Sequence, residues 1–121
     1  MSERKQLSEV LDDLKREYIL TFPKKLEKIE KLTAVENWKE LADEYHKLKG
    51  TGKTYGFPQI STLCEKMEQM ANQLTTQQRP LFDSGLSILK KLLIAYQENR
   101  SYSIHEDPLF SMLNEIKTEK K

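Results

Sequence analysis

A chain of 121 residues with 20 basic and 19 acidic side chains has no overall field to gather nucleic acid or an anionic membrane, so electrostatic recognition has to be local. Its length suits one domain that buries about two-thirds of its unfolded surface without metals or cross-links. Apolar runs of only a few residues exclude a membrane-spanning helix; the opening MSERKQLSEV lacks a signal peptide's apolar stretch, and the single Cys64 excludes an internal disulfide, so a cytoplasmic protein is expected.

Leu7, Val10, Leu11, Leu14 and Tyr18 recur at helical spacing, and the stripe stays in register through Phe22, Leu26 and Ile29. Pro23 has no N–H and its ring opposes the carbonyl of Ile19, which predicts a kink or short break and then a second helical stretch to about Leu32. The Lys/Glu-rich segment 24–31 reads as a solvated face with i,i+4 pairs. After a connection at Thr33–Asn37, a second stripe takes Trp38, Leu41, Tyr45, Leu48, Gly52 and Tyr55, and Gly56-Phe57-Pro58 closes it. Pro58 opens a helix with Ile60, Leu63, Cys64, Met67, Ala71 and Leu74 on one face. Thr75–Gln78 is turn-like, and beyond Pro80 the next stripe is Phe82, Gly85, Leu86, Leu89, Leu93 and Tyr96. Residues 97–106 form a polar link. Asp107-Pro108 then reads as an N-cap followed by proline, starting a short helix that uses Leu109, Met112, Leu113 and Ile116 before a tail, 117–121, expected to fray. No window alternates apolar and polar residues. The predicted fold is therefore all-α, an antiparallel four-helix bundle with a Pro-kinked N-terminal helical segment and an additional short C-terminal helix, in one domain over 1–121 whose C-terminal extension is 97–121.

Three of the four glycines fall in HKLKGTGKTYGF, residues 46–57. Gly52-Lys53-Thr54 imitates the end of a phosphate-binding P-loop, but that motif needs glycine where Lys47 stands, and a strand where a helical pattern precedes it. Two other readings remain. Gly50 caps the helix in a left-handed conformation and 50–57 is a loop; or the helix runs on to Tyr55, carrying two glycines at about 0.8–1.0 kcal/mol each relative to alanine. In the second reading His46, Lys49, Gly50 and Lys53 share a face rotated about 120° from the core. An imidazole displayed there, one turn before a glycine that removes side-chain bulk, is placed for the approach of another macromolecule.

His46-x-Leu48-Lys49-Gly50, with Gly56 ten residues past the histidine, resembles the signature of the histidine-containing phosphotransfer (Hpt) domain. The likeness extends over about 7 to 96 with its specific part in 38–68, where Leu63-Cys64-Glu65-Lys66-Met67-Glu68 is similar to the family's next helix. The resemblance implies a phosphoacceptor at His46, charge compensation by Lys49, receiver docking over Gly50, a second family glycine at Gly56, and a catalytic Glu68 on the flank of the facing helix, within possible reach of the imidazole; whether the two meet is left open. Lys47 and Lys53 add a basic rim suited to an acidic receiver pocket. Thr51-Gly52 departs from the small serine or alanine pair usual in the family.

The resemblance also implies the partners: receiver domains of response regulators and a (hybrid) histidine kinase, with no nucleic acid, no membrane and a monomeric carrier. No cofactor is expected on this chain, magnesium belonging to the receiver, and the chain is expected to carry phosphate without an ATP-binding kinase domain. Neutral imidazole is a nucleophile, and a carboxylate that accepts from Nδ1–H leaves Nε2 free to attack phosphorus. A helical adaptor that docks a receiver without carrying phosphate is the rival reading. His105 reads as a surface histidine without ligand partners, and Cys64 as a small core residue.

Overall fold

A computed structural model describes residues 3–118, all helical or irregular, with no strand among them. The helices are α1 (Glu3–Ala34), α2 (Trp38–Thr54), α3 (Pro58–Ala71), α4 (Arg79–Gln97) and α5 (Pro108–Glu115), with 3₁₀ turns at Leu74–Thr76 and Ile104–Glu106. In the bundle α1 and α2, α2 and α3, α3 and α4, and α4 and α1 are neighbours, and α2 packs most extensively on α3. Short connections make sequential helices antiparallel, as expected.

Pro23 does not break α1, which is one helix of 32 residues with the proline inside it. The proline is solvent-exposed, so the carbonyl left without its intrahelical partner lies where water can reach it. Phe22, Leu26 and Ile29 on the inward face are buried, and their packing holds the helix through the lost bond. The N-terminal end of the same stripe departs further from expectation. Leu7, Val10, Leu11 and Leu14 are exposed rather than core, because α1 extends past the end of the bundle.

α2 and α1 stop in the same way. Phe57 N–H donates to Gly52 O (2.7 Å) and Gly56 N–H to Lys53 O (3.3 Å), the paired bonds of a Schellman cap, with Gly56 at φ +82°. After α1, Asn37 N–H donates to Leu32 O and Glu36 N–H to Thr33 O, but the left-handed position is occupied by Glu36 at φ +55°. Asn37 then caps α2, its Oδ1 accepting from Glu40 N–H. The left-handed glycine is thus Gly56 and not Gly50, which lies inside α2.

Residues 100–118 add a second layer. Gln59 of α3 donates to Tyr102 O (2.9 Å) and accepts from Ile104 N–H (2.8 Å). Ile104, Phe110 and Leu113 are buried against the core. Phe110 fills the place expected of Met112, which is exposed, and Ile88 and Leu92 on a second face of α4 are buried too. Lys66 donates to the carbonyl of Ile116 at the C-terminal end of α5, a cation against unsatisfied helix carbonyls, and Thr118 donates to Gln69 (2.7 Å). Of the tail expected to fray, Lys117 and Thr118 are thus placed, and 119–121 lie outside the described residues.

Asp107 caps α5 through Leu109 N–H (2.9 Å) and also accepts from Lys91 (3.1 Å) and the hydroxyl of Tyr102. Burial opposes its charge, but these donors outweigh burial and hold the carboxyl below its ordinary 3.8. A carboxyl lowered in the folded state stabilises fully above the unfolded value, and that contribution is lost as pH falls. Amides of residues 104–116 are therefore expected to lose exchange protection on acidification below about pH 4, before the bundle helices do. Asp107→Asn should remove most of that pH dependence and cost about 1–2 kcal/mol at neutral pH.

Candidate functional site

Two helix faces build the site. α2 is held on α3 by Gly52, where an added Cβ would lie 3.1 Å from both Ser61 N and Ile60 Cγ2. Tyr45 and Leu48 are buried on the core side of α2, so the register of the helix turns His46 outward. Its side chain is 66% exposed. Across the groove, α3 presents Glu68, 20% exposed, on the edge of a face that buries Cys64 and Met67.

His46 Nδ1 lies 3.0 Å from Glu68 Oε2. The other carboxylate oxygen, Oε1, is 3.2 Å from Lys49 Nζ. One carboxylate therefore holds both the imidazole and the ammonium one turn along α2. An ionised carboxylate only accepts, so Nδ1 carries the proton and neutral imidazole keeps its lone pair on the exposed Nε2. Glu68 also acts on Cys64: burial first, then the carboxylate's charge, pushes the thiol far up. Cys64 is a protonated core residue and no nucleophile.

The rest of the expected site is arranged as follows. Gly50 is exposed, and a Cβ built on it meets nothing within 4 Å, so the backbone one turn beyond His46 is open. Lys53 is exposed on the same face. Lys47 is drawn back to Glu44 (3.3 Å) and is not a free rim cation. Gly56 is the helix stop described above, overlain by Lys15, whose Cε would be 2.9 Å from an added Cβ; its position is set by the turn. Among the described residues no cluster of three His, Cys, Asp or Glu side chains is arranged to hold a metal.

Sequence reasoning missed the clamp beside the histidine. Glu44 accepts from both Lys28 of α1 (2.8 Å) and Lys47. Burial works against its charge, but the two lysine hydrogen bonds prevail and hold its carboxyl below the usual range. The i,i+3 spacing of Glu44 and Lys47 was a usable signal, whereas the Lys28 contact depends on how α1 lies against α2. Further along, the Tyr18 hydroxyl pairs with Thr51 Oγ1 (2.9 Å), which gives the unusual threonine after Gly50 an inward partner. Burial pushes the Tyr18 phenol up to about 12, the Thr51 bond partly offsetting it.

A family model described as the Hpt domain matches residues 13–99. The chain belongs to the Hpt domain family. Hpt domains are phosphocarrier modules of two-component signalling rather than kinases, and they interact with receiver domains and kinases. The match spans α1 from its third turn to the end of α4, so residues 100–118 and the first turns of α1 lie beyond it. No curated protein and no solved structure matches this Hpt chain. None of its described helices is long and apolar enough to cross a membrane.

Proposed function

We propose that His46 is the phosphoacceptor of this Hpt chain, taking a phosphoryl group from a receiver aspartate or a kinase and passing it to a response regulator. The observation that carries this reading is an exposed imidazole whose Nδ1 is engaged by Glu68 at 3.0 Å. Nε2 attacks the phosphorus of an aspartyl phosphate, the N–P bond forms as the P–O bond breaks, and the pair of electrons leaves on the aspartate carboxylate. Nδ1 keeps its proton, and the positive charge arising on the ring faces Glu68. The reverse attack by a second receiver's carboxylate returns the imidazole to its neutral state.

Lys49 starts bound to Glu68 and lies on the same face as Nε2, where it offsets charge on the transferred oxygens; phosphoryl transfer depends on such placement more than on covalent machinery. Gly50 and Lys53 form the docking surface beside it. The receiver would bring its own magnesium ion and its aspartate, and no cofactor is assigned to this chain.

Incubating the chain with a phosphorylated receiver tests the reading. Wild-type protein should gain acid-labile, base-stable phosphate, and His46→Gln should gain none while keeping its melting temperature. Equal labelling of both would end the proposal. Receiver binding without transfer, indifferent to His46→Gln, would favour an adaptor instead.

A further inference from the structure

The flank of α2 turned toward α1, away from Glu68, carries a second charged arrangement. The Glu44 side chain is 14% exposed, and its Oε1 accepts from Nζ of Lys28 at 2.8 Å and of Lys47 at 3.3 Å. Those two lysine side chains are 56% and 68% exposed. The carboxylate is thus sunk in the α1–α2 seam while the ammoniums stand outside it, so an approaching macromolecule meets positive charge. Lys25 rests its ammonium over the Tyr18 ring, 4.4 Å from the centroid, and Lys24 is exposed one turn before Lys28. Against these cations stands Glu40, whose charge reaches Lys28. Beside them the charges come in offsetting pairs, Glu27 with Lys31 (3.2 Å) and Asp43 with Lys39 one turn before it. The patch is continuous with the histidine face: Lys47 follows His46 directly, and the open backbone at Gly50 lies one turn on from both. On the opposite edge α3 shows carboxylates, Glu68 and, one turn before it, the exposed Glu65, with Lys49 held by Glu68. The face is electrically lopsided, positive toward α1 and negative toward α3.

We propose that Lys28 and Lys47, set in place by Glu44, form a second docking point that takes carboxylates on the receiver's surface, beside the pocket that meets His46. This rests on the reading of His46 as the phosphoacceptor and extends it to how a receiver is chosen and turned. Two ammoniums fixed in advance avoid the ordering cost that loose lysines incur on binding. A receiver with an acidic patch on the α1 side is drawn in by them and held in one rotation about the line from Nε2 to its aspartate. Turned the other way, the same patch meets Glu65 and Glu68, like charge against like. A receiver without the patch gains nothing from the lysines and is the poorer partner. Glu44 acts through the lysines and is a positioning residue.

The kcat/KM of transfer from a receiver that labels the wild-type chain, measured from about 25 to 300 mM salt, tests this. For wild type it should fall at least about tenfold across that range. Lys28→Gln with Lys47→Gln should lower the low-salt value about tenfold, through KM, and flatten the salt dependence. Adding Glu44→Gln removes the carboxylate those changes leave behind, so the same loss in the triple variant is not a folding defect. Lys90→Gln with Arg100→Gln takes the same charge from α4 and its C-terminal end, across the bundle from α2, and should stay near wild type in rate and salt dependence. Wild-type behaviour of the Lys28 and Lys47 variant overturns the proposal, as does an equal loss in the α4 variant or a loss confined to kcat. Phosphoramidate, a donor with no surface to dock, keeps the two readings apart. A wild-type chain that takes no phosphate on His46 from it or from any receiver ends the phosphoacceptor reading and this one with it. A labelled His46 with receiver rates indifferent to the lysines ends the docking point alone.

Discussion

Gly50→Ala is expected to stabilise the protein and Gly52→Leu to destabilise it severely, although both glycines lie in the same two turns of α2. Nothing lies within 4 Å of a Cβ at position 50. Alanine there gains helix propensity and restricts the unfolded chain, worth about 0.5–1 kcal/mol. At position 52 the first added carbon already lies 3.1 Å from backbone Ser61 N, an atom that moves only if α3 moves. Leucine there should cost about 2–3 kcal/mol, a fall in Tm of about 8–12 °C. Gly50→Trp is the companion experiment. It should leave folding near wild type but slow transfer from a receiver about 10–100-fold, since the indole occupies the open surface beside His46. Thermal melts and a transfer time course decide all three. Full-rate transfer with tryptophan at 50 would remove Gly50 from the docking surface.

The second large effect is expected at Glu68. Glu68→Ala should slow phosphorylation of His46 about 10–100-fold, the range found when a histidine loses its orienting partner. Lys49 then loses its contact with Glu68 Oε1 as well. Glu68→Gln should fall between alanine and wild type: the amide oxygen still accepts from Nδ1–H, but the charge facing the imidazolium and Lys49 is gone. Nitrogen NMR of the His46 ring gives a readout that a structural role would not move. Wild type should show the Nδ1–H tautomer, and Glu68→Ala a shift toward Nε2–H. An unchanged tautomer and rate in the alanine variant would show that Glu68 does not position the ring.

Much of this was legible in the chain because local rules and tertiary packing agree there. The α2 stripe stays in phase from Trp38 to Tyr55, which is why the helix runs through two glycines. The choice between that reading and a cap at Gly50 turned on what lies opposite Gly52, and only packing supplies Ile60 and Ser61. His46 Nδ1 and Glu68 Oε2, 22 residues apart in sequence, lie 3.0 Å apart, a contact that spacing alone left open. The stripe of α1 misled: periodicity shows that one face is apolar, not how far a neighbour extends to cover it. Leu7 and Leu14 obey the same pattern as Phe22 and yet are exposed. Residues 97–106 looked polar, yet Ile104 is buried, because a single apolar residue has no period to reveal it.

The C-terminal segment has a consequence for the order in which the molecule assembles. Besides Lys91 with Asp107, 16 positions apart, its anchors to α3 join residues 43 to 52 positions apart: Gln59 with Tyr102 and Ile104, Lys66 with Ile116 and Thr118, Gln69 with Thr118. Each pairing with α3 closes a long loop and has little to hold until α3 and α4 have already docked. This stretch is therefore expected to be the last to join a nascent bundle and the first to peel away, with His46 and Glu68 on the earlier-formed α2–α3 pair.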